Sequence, residues 1–360
     1  MVKILKRVDA LKQRAFEEKG FDGFLISSEA NLLYFAGFPG AISLLIPKNG
    51  ENTIYVYNVN YEQAKAEGKG FRVELVNRDE NLMAKIATQV KAYKIRKLAL
   101  DSLNFESYLS LAREIRGETR LKGQNSIVWE LRKVKDEEEI EFMRKAGELT
   151  SEGMKVACEV IKPGMKEYEV AGEIEYAMRK EGSYGTAFET SVASGARSAF
   201  PHGGCSDREI REGDLVVVDM GAAYGFYRSD MTRTVVAGKP SERQRKIYGI
   251  VKVAYDKAFE AIRLGAKAKD VDAVARKVIE EAGYGEYFVH SLGHGIGLEV
   301  HEPPSLRPNS KDKLAVGNVV TNEPGIYLIG YGGVRIEDTV LVQRNMTEKL
   351  TNGPYSIETQ

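Results

Sequence analysis

EGDLVVVD (212–219) and VGNVVTNE (316–323) read as one motif written twice in this 360-residue chain. Each runs from a glycine turn into an apolar strand and ends in an acid, Asp219 or Glu323, six residues after its glycine. The likeness extends outward. Upstream, EVIKPGMKEYEV (159–170) lines up with EAIRLGAKAKDV (260–271), and both lead into a helical pattern that stops at EG (181–182) or AG (282–283). Downstream, DMTRTV (230–235) parallels EDTVLV (337–342), so Asp230 matches Glu337. An internal repeat of this kind predicts two halves, each helix, helix, strand, strand, with two acids on each strand pair.

A carboxylate inside an apolar strand is expensive unless something neutralises it. Asp219 ends a run of valines. The turn-like GAAYG then lets one hairpin bring Asp230 beside it. Pro324 stops the strand at Glu323, and period-two geometry puts Arg335, Glu337 and Thr339 on one strand face. Any one of these acids alone reads as a strand-edge residue paired with an arginine. Four at matching places in a duplicated unit would need that coincidence four times. Clustered carboxylates repel unless protonated or held by cations. Four of them with one neutral imidazole balance two divalent ions, whereas a single ion leaves the cluster over-charged. Oxygen donors with one imidazole favour Mn²⁺ or Co²⁺ and tolerate Zn²⁺ or Fe²⁺.

Three of the four histidines fall in HSLGHGIGLEVHE (290–302). The spacing of His290 and His294 suits two ligands on one helical face, but Gly293, Gly295 and Gly297 weaken a helix. No glutamate follows His290, as the helical zinc motif H-E-x-x-H requires. An extended segment is predicted instead, with the glycines letting backbone pass close to a ligand. The fourth histidine, His202, lies in FPHGG (200–204), within the same duplicated region.

The rest of the chain bounds the reading. Lys+Arg and Asp+Glu both number 52, so no basic excess points to nucleic acid or an anionic membrane. No apolar run approaches the length of a membrane span. Cys158 and Cys205 have no metal-type spacing and read as buried free thiols of a cytoplasmic protein. The basic N-terminus has apolar residues at helical spacing over 3–19, not the apolar core of a signal peptide. Residues 1–122 alternate helical and strand-like segments, including FDGFLI, AISLLIP, TIYVYN and KLALD, and predict a separate α/β domain. The pattern breaks over 123–135, read as a linker, and Asp136 caps the helix that opens the second domain, 136–360.

FVHSLGHGIGLEVHEPP, VVVDMGAAYGFYRSDMTRT, VVTNEPGIY and GGVRIEDT together closely resemble the Xaa-Pro dipeptidase (prolidase) and aminopeptidase P group of the pita-bread metallopeptidases. NLLYFAGF (31–38) resembles a stretch of that group's N-terminal domain, so the likeness runs nearly end to end. It implies an α+β architecture. A C-terminal pita-bread domain like that of creatinase and methionine aminopeptidase, with a pseudo-twofold repeat, follows a smaller creatinase-like N-terminal domain. It also implies that Asp219 binds a first metal, His294 and Glu323 a second, and that Asp230 and Glu337 bridge the two. His202 and His301 match substrate-contacting histidines. Arg335 and His290 are read as supports around the ligands.

The activity implied is hydrolysis of Xaa-Pro bonds in dipeptides through a metal-bridging hydroxide, with Glu323 moving the proton and His301 and His202 donating to the oxyanion. Release of the first residue from longer Xaa-Pro peptides, as by aminopeptidase P, is the alternative. Some relatives are non-catalytic binding modules, and creatinase works without metal. Retention of all five ligands argues against both readings. The resemblance further implies short proline-containing peptides as substrates and a cytoplasmic homodimer, with no nucleic-acid or membrane partner.

Overall fold

The structure, a computed structural model, describes residues 2–358. The chain falls into two compact units, Met1–Arg132 and Lys133–Gln360.

In the first unit, strands β1 (Gly23–Ile26), β2 (Ser43–Pro47), β3 (Thr53–Tyr57), β4 (Arg72–Val76), β5 (Lys97–Leu100) and β6 (Arg120–Gly123) form one sheet. Their order is β4-β3-β2-β1-β5-β6. The β1–β2 and β2–β3 pairs are antiparallel, whereas β1–β5, β3–β4 and β5–β6 are parallel. The helices are α1 (Val2–Lys12), α2 (Glu29–Ala36), α3 (Asn58–Glu67), α4 (Leu82–Ala92), α5 (Phe105–Ile115) and α6 (Asn125–Arg132). Parallel neighbours need a crossover, and α3 and α5 supply it for β3–β4 and β5–β6. Leu25, Leu45, Tyr55 and Val76 pack against Ile86 and Val90 of α4.

Three details differ from the sequence reading, and the placing of NLLYFAGF adds to it. The first helix widens into a π-helical turn over Gln13–Glu18. NLLYFAGF lies mostly on α2, which ends at Gly37 in the left-handed conformation. Strands β4 and β6 went unread because both are sheet edges carrying charged residues rather than an apolar run. The segment 123–135 is not a plain linker. It contains α6, which buries Ile127 and Val128 and whose Arg132 donates from Nη1 to Asn31 Oδ1 at 2.7 Å. The first unit thus extends through Arg132.

In the second unit, Asp136 caps α7 (Glu137–Val160) in a capping box with Glu139. Then come α8 (Glu167–Lys180), β7 (Gly185–Thr186), β8 (Ser191–Ser194), β9 (Leu215–Met220), β10 (Ala222–Tyr224), β11 (Tyr227–Arg228) and β12 (Met231–Val236). The chain continues as α9 (Glu242–Ala261), α10 (Ala268–Glu281), β13 (Gly293–Gly295), β14 (Glu302–Leu306) and β15 (Val319–Asn322). It ends with β16 (Gly325–Leu328), β17 (Gly332–Arg335), β18 (Asp338–Val342) and β19 (Thr347–Lys349).

The repeat is visible in the sheets. One has the order β12-β9-β8, and the other carries β13-β15-β18 at its centre. Ser194 pairs with Val216 in the first, and Gly295 pairs with Val320 in the second. Val216 and Val320 hold the same place in the duplicated motif, so the registers match. Helices α7 and α8 cover the first sheet through Met154, Val170 and Ile174. Helices α9 and α10 cover the second through Val251, Val271 and Ile279.

GAAYG does more than turn the chain. Residues 222–228 form the β10–β11 hairpin, with Gly225 (φ 56°) and Phe226 (φ 70°) as its two-residue loop. Cys158 is buried as expected, but Cys205 is only half-buried.

Candidate metal centre

The five predicted ligands come from both halves and meet in one cleft of about 750 Å³, lined also by His202, His290, His301 and Arg335. Asp219 stands near the end of β9, where β9 pairs with β12. Asp230 immediately precedes β12 and is fixed by its backbone N–H, which donates to Thr339 Oγ1 at 3.0 Å. His294 lies at the middle of β13, in extended rather than helical backbone, so it and His290 do not share a helix face. Glu323 follows β15, and its backbone N–H donates to Leu292 O at 2.9 Å. Glu337 sits in the break between β17 and β18, where pairing passes from β16 to β15.

Atoms of Asp230, His294 and Glu337 lie within 4.8 Å of one another, as three ligands of one ion would. His294 Nε2 is 3.7 Å from Asp230 Oδ2 and 3.3 Å from Glu323 Oε1. Its Nδ1 faces Gly295 O at 3.0 Å, and since a carbonyl can only accept, Nδ1 carries the proton. Burial lowers the pKa of His294, which favours its neutral ring. Its Nε2, the nitrogen without the proton, is therefore turned toward the carboxyl groups of Asp230 and Glu323.

The carboxylates are equally out of balance. Burial, and then Glu337 and Asp219, push Asp230 well above the usual carboxylate range. Burial, and then Glu323 and Asp219, do the same for Glu337. Burial also raises Glu323. Asp230 Oδ1 is buried with no hydrogen-bond partner. A lone pair aimed at acids, a bare carboxylate oxygen and mutually repelling carboxylates are each relieved by divalent cations, so the residues present fit metal ions.

Around the acids lies a set of donors. Arg335 donates from Nη2 to Asp219 Oδ2 at 2.5 Å, from Nε to Thr232 Oγ1 at 2.9 Å and from Nη1 to Tyr327 Oη at 2.9 Å. Thr232 Oγ1 in turn lies 2.6 Å from Glu337 Oε2 and 3.2 Å from Asp219 Oδ1. Thr321 donates to Glu323 Oε1 at 3.0 Å. His290 Nδ1 faces Ser291 O at 2.8 Å, so its Nε2 accepts from Tyr327 Oη at 2.9 Å. A chain thus runs from Arg335 through Tyr327 to His290, whose ring stands 4.0 Å from Glu323 Oε2. His301 is exposed in the cleft, with its ring centroid 4.3 Å from that of His294.

Thr232, Thr321, Thr339 and Tyr327 are the site residues that sequence reasoning missed as supports. The threonines carry a readable signal. Each stands two residues from an acid, hence on the same strand face: Asp230 and Thr232, Thr321 and Glu323, Glu337 and Thr339.

With this geometry in hand, comparison with known proteins is direct. The model of metallopeptidase family M24 matches residues 141–344, and that of the Creatinase/Prolidase N-terminal domain matches residues 7–134. The chain is 42% identical over 341 residues to the Xaa-Pro dipeptidase of Pyrococcus furiosus, covering 93% of this chain and 94% of that one. The solved Xaa-Pro dipeptidase from Bacillus anthracis is 37% identical with a TM-score of 0.93, covering 99% of both chains. The X-Pro aminopeptidase from Thermotoga maritima MSB8 is 39% identical with a TM-score of 0.85, covering 94% of this chain and 97% of that one. Among the described residues, no helix is long and apolar enough to cross a membrane. A buried cluster built for divalent cations, in a fold shared over its whole length, makes this chain a metallopeptidase of family M24 with a Creatinase/Prolidase N-terminal domain.

Proposed function

We propose that the chain hydrolyses Xaa-Pro dipeptides at this centre, with two divalent cations, Mn²⁺ or Co²⁺ before Zn²⁺ or Fe²⁺. Asp219 would hold one ion, His294 and Glu323 the other, and Asp230 and Glu337 both. When bound, the ions would supply Lewis acidity and a water acidic enough to ionise near neutral pH. The observation that carries the reading is His294 directing Nε2 at Asp230 and Glu323 while its Nδ1 is taken by a backbone carbonyl.

The chain's own residues supply the rest. Glu323, with Oε1 accepting from Thr321 and Oε2 open toward His290, takes a proton from water and returns it to the departing proline nitrogen. His301, whose pKa is lowered first by partial desolvation in the cleft and then by His294, would be an N–H donor for the carbonyl oxygen. His202 lines the same cleft and serves the same peptide as a second donor. Arg335 orients Asp219. Phe188, Val300 and Pro303 give the cleft apolar walls suited to a proline ring. An Xaa-Pro bond has no amide N–H, so a site need not accept one.

The test is hydrolysis of Met-Pro by metal-stripped enzyme to which Mn²⁺ or Co²⁺ is returned. Absence of turnover with every divalent metal would refute the proposal. A second reading, release of the first residue from longer Xaa-Pro peptides, is favoured by the likeness to the Thermotoga enzyme. A panel of Xaa-Pro dipeptides against Xaa-Pro-Yaa tripeptides separates the two. We also propose, from the resemblance read in the sequence, a cytoplasmic homodimer, which light scattering on the purified protein and cell fractionation would test.

A further inference from the structure

Glu167 takes no part in the metal cluster, yet it is fully buried at the first position of α8. An acid there would favour the helix dipole even if exposed, so the dipole does not explain its burial. Its donors do. Oε1 accepts from Ser194 N at 2.8 Å and Ser194 Oγ at 2.7 Å. Oε2 accepts from Ser206 N at 2.9 Å, Ser206 Oγ at 2.6 Å and Arg197 Nε at 3.2 Å. Both oxygens are thus filled by donors from three points of one loop, 194–206. Arg197 passes the grip onward, donating from Nη2 to Gly203 O at 2.7 Å. Between these anchors hang Pro201 and His202, both lining the cleft.

The second half of the repeat solves the same problem from another position. Its helix α10 has Ala268 where α8 has Glu167, and Asp272 where α8 has Ala171. Asp272 is buried, accepts from Leu292 N at 3.0 Å and takes both Nε and Nη2 of Arg276 at 2.9 Å. Arg276 then donates to Phe288 O and His290 O, each at 3.0 Å. In each half, a buried acid on the second helix, paired with a partly exposed arginine, grips the segment that brings a histidine to the cleft. The acids are not equivalent by descent of position, so the device follows the histidine segments and not the scaffold.

We propose that Glu167 is a positioning residue for the reaction: through Ser194, Ser206 and Arg197 it holds loop 194–206 so that His202 faces the bound peptide. This rests on the reading of His202 as a substrate contact. Other ties also reach the loop, but none of them binds its two ends to α8 as Glu167 does. Arg335 Nη1 reaches Pro201 O only at 3.4 Å, Ser198 Oγ accepts from Gly333 N at 2.9 Å, and Cys205 bonds Thr190 O.

The test is a double-mutant cycle of Glu167→Gln with His202→Ala on full-length, metal-loaded enzyme, read beside amide hydrogen exchange. Glu167→Gln should retain wild-type metal content and lower kcat/KM for Met-Pro by about 10–100-fold, the cost of a misplaced group. On the His202→Ala background the same change should cost nothing further, since it acts through that histidine. Exchange should quicken across residues 195–204 and stay unchanged across 288–295. An equal loss on both backgrounds, or an unaltered exchange pattern, would overturn the proposal. Arg197→Lys carries the same cycle if Glu167→Gln does not fold. Should wild-type enzyme cleave no Xaa-Pro dipeptide, the proposed function fails, while exchange across 195–204 still decides whether Glu167 holds the loop.

Discussion

The two halves of the catalytic unit, α7 to β12 and α9 to β18, share backbone and register but divide the chemistry unequally. The first half gives Asp219 and Asp230. The second gives Glu323 and Glu337 at matching places, and adds His294. The pairing of Ser194 with Val216 and of Gly295 with Val320 makes Ala193 the counterpart of His294. One alanine-for-histidine difference therefore decides why the cluster has a single imidazole. Arg335, Tyr327 and His290, which organise Asp219 and stand beside Glu323, also belong to the second half.

The halves are further locked by exchange of side chains. Asp338 stands where the first half has Met231, and Arg233 where the second has Val340. Arg233 Nη2 donates to both oxygens of Asp338, at 3.0 and 3.2 Å, in a site closed to solvent. Tyr255, Tyr355 and Thr351 complete the shell of Asp338, the residue directly after Glu337. A duplicated scaffold supplies equivalent positions, and departures from equivalence turn them into a site.

The harshest way to break this division is to remove an acid that both halves contribute. Asp230→Ala and Glu337→Ala should each lower Met-Pro hydrolysis by at least ~10³-fold and reduce bound metal below two ions per chain, as mass spectrometry of the metal content would read. Full stoichiometry after Glu337→Ala would contradict its proposed bridging role. Next in size is the lock between halves. Asp338→Ala strands a buried guanidinium and should cost about 3–5 kcal/mol in denaturant unfolding, whereas Val340→Ala, the counterpart of Arg233, opens only an apolar gap.

A smaller effect is expected of the support that only the second half provides. Arg335→Met should weaken metal binding by about 10–100-fold in calorimetric titration, because Asp219 loses its charged donor. If affinity holds, the asymmetry of support is structural only. Smallest of all, His290→Ala should leave bound metal nearly unchanged. Its Nδ1–H serves a carbonyl and its Nε2 a tyrosine, so neither nitrogen is free for a ligand bond.

How far the site could be read in advance differed from residue to residue. The four acids stood out because they interrupt apolar strands at repeated places. The glycines around His294 excluded a helix for the same local reason. The period-two rule places Thr339 on the face of Glu337, but Thr232 and Thr321 went unread because a threonine in a strand is unremarkable by itself. Tyr327 gave no local sign at all. Its role arises only where β16 lies against β17 and its hydroxyl meets Arg335 and His290. Strands β4 and β6 escaped notice because an edge strand needs no apolar face, and α6 because its short apolar stripe looked like broken pattern.

By itself, the sequence determined the duplication, the helix pair that opens each half, the strands that carry its acids, the four acids and the exclusion of a helical zinc site, but not the further strands of each half. These rest on periodicities of two and 3.6 residues and on the cost of burying charge, which act over a few residues. Only the tertiary structure decided which nitrogen of His294 faces the acids, that Arg233 crosses to Asp338, and that Glu167 holds the loop of His202. Those pairings join residues far apart in the chain, and burial makes each of them obligatory, because a charge or lone pair removed from water must find its partner wherever the fold brings one.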